Sequence, residues 1–264
     1  MNRPTATGAR VAVHKFSSCD GCQLAFLNLG ETLLTLAGRV RLVHFAEAGL
    51  LDEDAKIDIA FIEGSIATPE DLERVRRIRA NSGFVVTIGA CATAGGLQAL
   101  RNFADAKQWI QGVYTNPEYI TGLDRVTPIS AHVKVDLELW GCPVNSRQVL
   151  EAIHSLLAGT RLNPRHEKVC LECKRAGVVC VLVAQGAPCL GPVTETGCGA
   201  LCPRFGRDCY GCYGPAESAN TAALSLRLEG LGLLPDDIAR RYLSINSQAP
   251  AFNAEGLKWK AQRD

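Results

Sequence analysis

Apolar and polar positions along the first part of the chain switch repeatedly between a strand period and a helix period. Residues 10–16, RVAVHKF, read as a strand. QLAFLNLGETLLTLAG (23–38) has helical spacing and stops at Gly38. RLVHFAEAG (41–49) and KIDIAFIEGS (56–65) are two further strands. TPEDLERVRRIRANSG (68–83) is a helix with Thr68 as N-cap, Pro69 at the first helical position and acids in the first turn. FVVTIGA (84–90) is a strand and ATAGGLQALR (92–101) a helix. HVKVDLELWG (132–141) is a strand and NSRQVLEAIHSLLAG (145–159) a helix. Strands alternating with helices predict a parallel sheet covered on both faces, the α/β class.

The pattern changes near Arg161 to Pro164, where RLNP breaks the preceding helical stretch. This divides the chain into residues 1–162 and 163–264. Residues 165–213 are rich in Gly, Pro and Cys and show little periodicity. Such a segment buries little apolar surface by itself and needs cross-links or metal clusters to fix it. ESANTAALSLRLEGLG (217–232) and PDDIARRYLSIN (235–246) then read as two amphipathic helices, and KWKAQRD (258–264) as a solvated tail.

Composition adds one decisive feature. The chain of 264 residues is 47% hydrophobic with a formal net charge of +1, which gives no electrostatic case for a nucleic acid or an anionic membrane. MNRPTATGAR lacks the apolar core of a secretory signal, and no run has the length of a membrane span. These features predict a cytoplasmic protein without direct membrane insertion. Against a single Met stand twelve cysteines. In a reducing compartment that number points to metal or redox chemistry rather than disulfides.

Four cysteines fall before residue 143. Cys19 and Cys22 (SSCDGCQ) follow the first strand, Cys91 (GACATAGG) follows FVVTIGA, and Cys142 (WGCP) follows HVKVDLELW. In an open parallel sheet those strand ends share one edge, where ligands bind. Any one cysteine could be a small core residue. Four on one edge form the ligand set of a tetrahedral zinc or a [4Fe–4S] cube. GACATAGG lacks the G-x-G-x-x-G spacing of a dinucleotide turn. The other eight are Cys170, Cys173, Cys180, Cys189, Cys198, Cys202, Cys209 and Cys212, two more sets of four. Zinc satisfies the same count, but its ribbons use more regular knuckles. The Cys142–Pro143 and Cys202–Pro203 pairs match ferredoxin runs in which proline follows a cluster cysteine.

SSCDGCQ, IEGS, GACATAGG, GCP, PCLGPVTETGC and CPRFGRDCYGCYG together resemble the small subunit of cytoplasmic [NiFe] hydrogenases, and most nearly the delta subunit of the soluble NAD(P)-linked enzymes or sulfhydrogenases. The motifs run from about residue 10 to 214. The twenty-kilodalton subunit of respiratory complex I shares the N-terminal fold but has adjacent cysteines in its first motif and lacks the eight-cysteine region.

The resemblance implies a flavodoxin-like domain followed by a cysteine-rich, mostly irregular and helical iron–sulfur domain. It implies three [4Fe–4S] clusters: a proximal one on Cys19, Cys22, Cys91 and Cys142, a distal one on Cys170, Cys173, Cys180 and Cys189, and a medial one on Cys198, Cys202, Cys209 and Cys212. Secreted relatives use a histidine where Cys170 stands, and only three cysteines at the medial position. Val144 replaces the usual second proline after GCP. The resemblance also implies a [NiFe] large subunit as partner, with flavin- and NAD(P)-binding and further iron–sulfur subunits beyond. No catalytic residue is expected in this chain; Glu63, in FIEGS, is a candidate for a proton-handling or interface role, or simply a helix-capping carboxylate. Gly21, Gly89, Gly141, Gly197 and Gly211, each beside a cysteine or one residue from it, suit close backbone approach to a cluster. His14, His44 and His132 fall in expected strands as core or surface residues, and His166 is redundant beside a full cysteine set. Two other readings remain: a cluster-bearing subunit of a complex I-like oxidoreductase, and a zinc-stabilised interaction module.

Overall fold

A computed structural model describes residues 8–52, 54–160, 162 and 167–263. The break expected at Arg161 to Pro164, and His166, lie largely or wholly outside them. Five strands form one sheet: β1 (Ala9–Lys15), β2 (Val40–Phe45), β3 (Ile57–Glu63), β4 (Ser82–Ile88) and β5 (Leu137–Leu139). Their order is β2-β1-β3-β4-β5 and every pairing is parallel. This is the flavodoxin-like order, in which the chain reverses direction across the sheet between β1 and β3.

The strands read as nearly continuous apolar runs because both faces are buried. On one face Val11, Val13, Ile59, Phe61, Val86 and Ile88 pack against α1 (Gly21–Leu27) and α6 (Ser146–Leu157) through Phe26, Val149, Ala152 and Ile153. On the other, Ala12, Ala60, Ile62 and Val85 meet Val75 and Ile78 of α3 (Pro69–Asn81). α3 starts where expected because Thr68 and Asp71 form a reciprocal capping box.

Several elements differ from the expectation, each for a local reason. The helix expected over 23–38 is two, α1 and α2 (Glu31–Ala37), because Gly30 turns into a left-handed conformation at φ 57°. The helix expected over 92–101 is α4 (Gly89–Ala94) followed by a 3₁₀ run over Leu97–Phe103; Gly95 and Gly96, at φ 81° and 64°, part them. The strand expected over 132–141 shrinks to β5. Asp136 uses its own side chain on the neighbouring strand, taking the Val85 N–H at 2.9 Å and Arg79 at 2.5 Å. His132 therefore lies outside the sheet, bonded to the Thr127 hydroxyl at 2.7 Å. A helix without an assigned counterpart in the sequence pattern, α5 (Ala106–Val113), is capped by Asp105.

The cysteine-rich segment is mostly irregular, with short helices α7 (Val169–Arg175), α8 (Val181–Ala184) and α9 (Leu201–Arg204). Beyond it, α10 (Thr221–Glu229) and α11 (Pro235–Tyr242) appear where expected. KWKAQRD is not a tail. Its start belongs to α12 (Pro250–Lys260), and Trp259 is only 3% exposed, its indole N–H donating to Glu255 at 2.7 Å. Leu190, Leu228, Ile238, Tyr242, Phe252 and Trp259 build a second core that also takes in Ala94 of α4. Gln248 N–H donates to the Ala94 carbonyl at 3.3 Å, so the C-terminal unit rests on α4, the helix that carries Cys91.

Candidate metal centre

Each early cysteine sits just past a strand: Cys19 and Cys22 after β1, Cys91 in α4 directly after β4, and Cys142 after β5. They meet at the carboxyl edge of the sheet. The loops are tied together by main-chain bonds: Ala90 N–H donates to the Gly141 carbonyl at 2.7 Å, and Val144 N–H donates to the Cys22 sulfur at 3.5 Å. Burial pushes the Cys91 thiol up to about 11, against its bond to Gln98, and the thiols of Cys142 and Cys19 push the same way. Cys22 is raised by burial above all, with further push from Glu63, Cys91 and Cys142. Cys142 keeps an exposed surface, yet the chain packed around its thiol still raises it, and Cys19 adds to this. The four thiols therefore feel one another across a single small space.

Two glycines keep that space open. At Gly89, φ 82°, an added Cβ would lie 2.3 Å from the Cys22 sulfur. At Gly96, φ 64°, it would lie 2.5 Å from the Cys91 sulfur. Neither position tolerates a side chain without moving a thiol. Gly21 needs no such freedom: its φ is ordinary, and a Cβ there would stand 3.5 Å from the Cys19 sulfur. The sequence pattern does not single out Gly96, although the GG pair is its visible trace.

Glu63 ends β3 and is 2% exposed. Its carboxylate accepts the N–H groups of Cys22 at 2.9 Å and Gln23 at 3.3 Å, the first turn of α1. α1 has no cap of its own, since Asp20 is left-handed there and makes no side-chain cap bond. Glu63 thus caps α1 from the adjacent strand and fixes the Cys19–Cys22 loop. Burial raises its pKa, with the two N–H bonds pulling the other way. Gln98 fixes the opposite side, donating to the Ser17 carbonyl at 2.6 Å while its oxygen faces the Cys91 sulfur at 3.5 Å.

The later cysteines interact in overlapping groups. Cys170 is pushed up to about 11 by burial, then by Cys189, Cys173 and Cys180. Burial pushes Cys212 up to about 12, and Cys198 and Cys202 are among its neighbours. Cys209 is raised by burial, then by Cys189 and, less, by Cys212, so it stands between the two groups. Other contacts also link the groups. Cys212 feels Cys142, Cys173 feels Cys198, and Cys209 N–H donates to the Cys189 sulfur at 3.3 Å. Cys19, Cys142 and Cys180 are exposed, whereas Cys22, Cys189 and Cys209 are buried.

Among the described residues, which include all twelve cysteines, no three His, Cys, Asp or Glu side chains close on one point. Thiolate sets of this kind suit zinc or an iron–sulfur cluster. N–H donors to sulfur (Val144 to Cys22, Cys209 to Cys189, Gly211 to Cys209 at 3.4 Å) are the contacts that hold ligand thiolates. Sequence reasoning passes over Tyr213. Its ring fills the gap between Gly141 and Gly197, where an added Cβ would come within 3.0 and 2.5 Å of it.

A flavodoxin-order sheet with thiols at its strand ends, extended by a cysteine-rich unit, defines the class as a subunit of an oxidoreductase. The family described as "NADH ubiquinone oxidoreductase, 20 Kd subunit" matches residues 19–156, and the chain belongs to it, as a small subunit of [NiFe] hydrogenase type. It is 34% identical over 233 residues to the delta subunit of sulfhydrogenase 2 of Pyrococcus furiosus, covering 88% of this chain and 97% of that protein. It is 30% identical to a subunit of the F420-non-reducing hydrogenase of Methanothermobacter thermautotrophicus, covering 75% of each. A solved NAD+-reducing [NiFe]-hydrogenase in its H2-reduced state matches with a TM-score of 0.54 and 29% identity, covering 60% of this chain and 96% of that one. Among the described residues no helix is long and apolar enough to cross a membrane.

Proposed function

We propose that this chain is the electron-transfer subunit of a soluble cytoplasmic [NiFe] hydrogenase. It passes electrons through three [4Fe–4S] clusters between a NiFe centre in a large subunit and a flavin- and NAD(P)-binding partner. The ligands are Cys19, Cys22, Cys91 and Cys142 (proximal), Cys198, Cys202, Cys209 and Cys212 (medial), and Cys170, Cys173, Cys180 and Cys189 (distal). The first set belongs to a domain of residues 1–162, the other two to residues 163–264.

The observation that carries this reading is the line in which the thiol sets touch. Cys212 feels the charge of Cys142, Cys173 feels that of Cys198, and the Cys209 N–H donates to the Cys189 sulfur at 3.3 Å. The exposed Cys19 belongs to one end of that line and the exposed Cys180 to the other, while Cys142 faces the second set. Such an order has an entry and an exit for electrons. The large subunit is assigned to the Cys19 end. The NAD(P) partner is supported by the NAD+-reducing relative, while the F420-non-reducing relatives leave a different final carrier as the second reading.

When bound, each cluster supplies a one-electron donor and acceptor. The chain's own work is to hold and shield it. Glu63 and Gln98 fix the loops around the first set. Gly89 and Gly96 leave room for sulfur. The N–H groups of Val144, Cys209 and Gly211 orient ligand sulfurs, and burial of Cys22, Cys189 and Cys209 excludes water. The match to the 20 Kd family stops at residue 156, so the eight later cysteines lie beyond what a complex I-like reading explains.

Three single variants test the partition. Cys22→Ser, Cys173→Ser and Cys209→Ser, each in the intact complex, are expected to lose about four irons apiece and to remove three different EPR signals. Two variants that remove the same signal would contradict the division into three sets.

A further inference from the structure

α7 carries Cys170 and Cys173, and between them stands Glu172. Its side chain does not serve that helix. Oε1 accepts the Gly197 N–H at 3.0 Å, and Oε2 accepts the Ala200 N–H at 2.9 Å. The same Oε2 lies 3.8 Å from the Cys198 sulfur. One carboxylate thus spans the turn that presents the first thiol of the neighbouring set. That turn is unusual in itself: Gly197 has φ 141°, and Ala200 is left-handed at φ 54° although it carries a side chain. A non-glycine residue keeps such a conformation only where its surroundings hold it, and the Glu172 bond is on that residue's own N–H.

The two acceptors also compete. The Ala200 and Leu201 N–H groups both favour a charged Cys198 sulfur, and Glu172 opposes it. By drawing the Ala200 N–H to itself, Glu172 weakens a bond that would stabilise negative charge on that sulfur. Its own negative charge acts in the same direction. Both effects disfavour an added electron at whatever Cys198 ligates, because N–H donors to sulfur raise a cluster's potential and nearby anions lower it.

We infer that Glu172 is a positioning residue that orders the Gly197–Ala200 turn and lowers the reduction potential of the cluster bound through Cys198, from a helix that ligates the next cluster. This rests on the three-cluster reading above. Its consequence is an electrostatic link between adjacent clusters, carried by one side chain.

The test is an EPR-monitored redox titration of the intact complex with Glu172→Gln and Glu172→Asp. The signal to follow is the one that Cys198→Ser removes. Glu172→Gln, neutral and nearly the same shape, is expected to keep its iron and to favour reduction of that cluster about tenfold, a positive shift of roughly 59 mV for one electron. Glu172→Asp keeps the charge and is expected to stay nearer the wild-type midpoint. Loss of that cluster in the Gln variant but not in the Asp variant supports the same role. A fully loaded Gln variant with an unmoved midpoint overturns it, as does a shift confined to the Cys170 cluster or equal damage in both variants. A wild-type protein in which Cys198→Ser removes no signal overturns the three-cluster reading as well.

Discussion

Replacing Gly89 by alanine separates two costs that the structure distinguishes. Gly89 follows β4 with φ 82°. A non-glycine residue held in the left-handed region costs roughly 1–2 kcal/mol. Gly159 offers the matching control: φ 66°, with nothing within 4 Å of an added Cβ. Gly159→Ala is therefore expected to cost that strain alone and to leave the iron content unchanged. At Gly89 the new Cβ would stand 2.3 Å from the Cys22 sulfur, where ordinary contact is 3.4–4 Å, and the Gly141 carbonyl closes the other side at 3.4 Å. Either the sulfur or the main chain has to retreat by about 1 Å, an overpacking cost of roughly 1–3 kcal/mol more. The total is about 2–5 kcal/mol. Thermal denaturation and anaerobic iron analysis read both terms. Gly89→Ala should melt well below Gly159→Ala and lose about four irons, those of the first thiol set. Equal melting of the two variants with full iron in both would refute the claim that Gly89 keeps space for that sulfur.

Other expectations follow from single contacts. Thr68→Ala removes one arm of the capping box and should cost about 1 kcal/mol, seen as a lower urea midpoint with unchanged slope. Trp259→Ala should cost about 3–5 kcal/mol, which a solvated tail would not. His14 and His44 stack at 4.4 Å inside the sheet, 3% and 1% exposed. Burial, with His44 and Arg74 beside it, pulls the His14 pKa down to about 3. The unfolded chain takes up that proton near pH 6.5 and the folded one does not, so the contribution is full above about 6.5 and fades as pH falls toward 3. At pH 4.5 the loss is about 3 kcal/mol. His14→Gln should flatten that part of the stability curve relative to wild type, and an unchanged difference between pH 7 and 4.5 would contradict the buried neutral ring.

The sheet and the placement of the first four thiols beyond its strand ends are legible in the sequence because both are written in local pattern. Apolar runs of strand length end in Cys19, Cys91 and Cys142, and parallel order alone brings those ends together. Glu63 is visible as a strand-end carboxylate, but its capping role depends on α1 starting at Gly21, two residues before the expected start, and on Asp20 making no side-chain cap bond there. Glu172 is hidden for a related reason. It stands between two cysteines in a stretch without periodicity, and its partners at Gly197 and Ala200 come from a turn far along the chain. Trp259 reads as exposed because the lysines on either side of it suggest solvent, while burial is decided by α11 and α10 packing against its other face. HVKVDLEL alternates well enough to suggest a longer β5, whereas the ladder begins only after Asp136, whose side chain takes the Val85 N–H and Arg79.

The most direct test of the account is metal and sulfide analysis of the protein purified and kept under anaerobic conditions, followed by EPR after reduction. The account predicts about twelve irons and about twelve acid-labile sulfides per chain, negligible zinc, and interacting S = 1/2 signals from neighbouring reduced clusters. Zinc bound at the cysteines without iron or labile sulfide, in protein never exposed to air, would contradict it and make the strand-end thiols structural ligands.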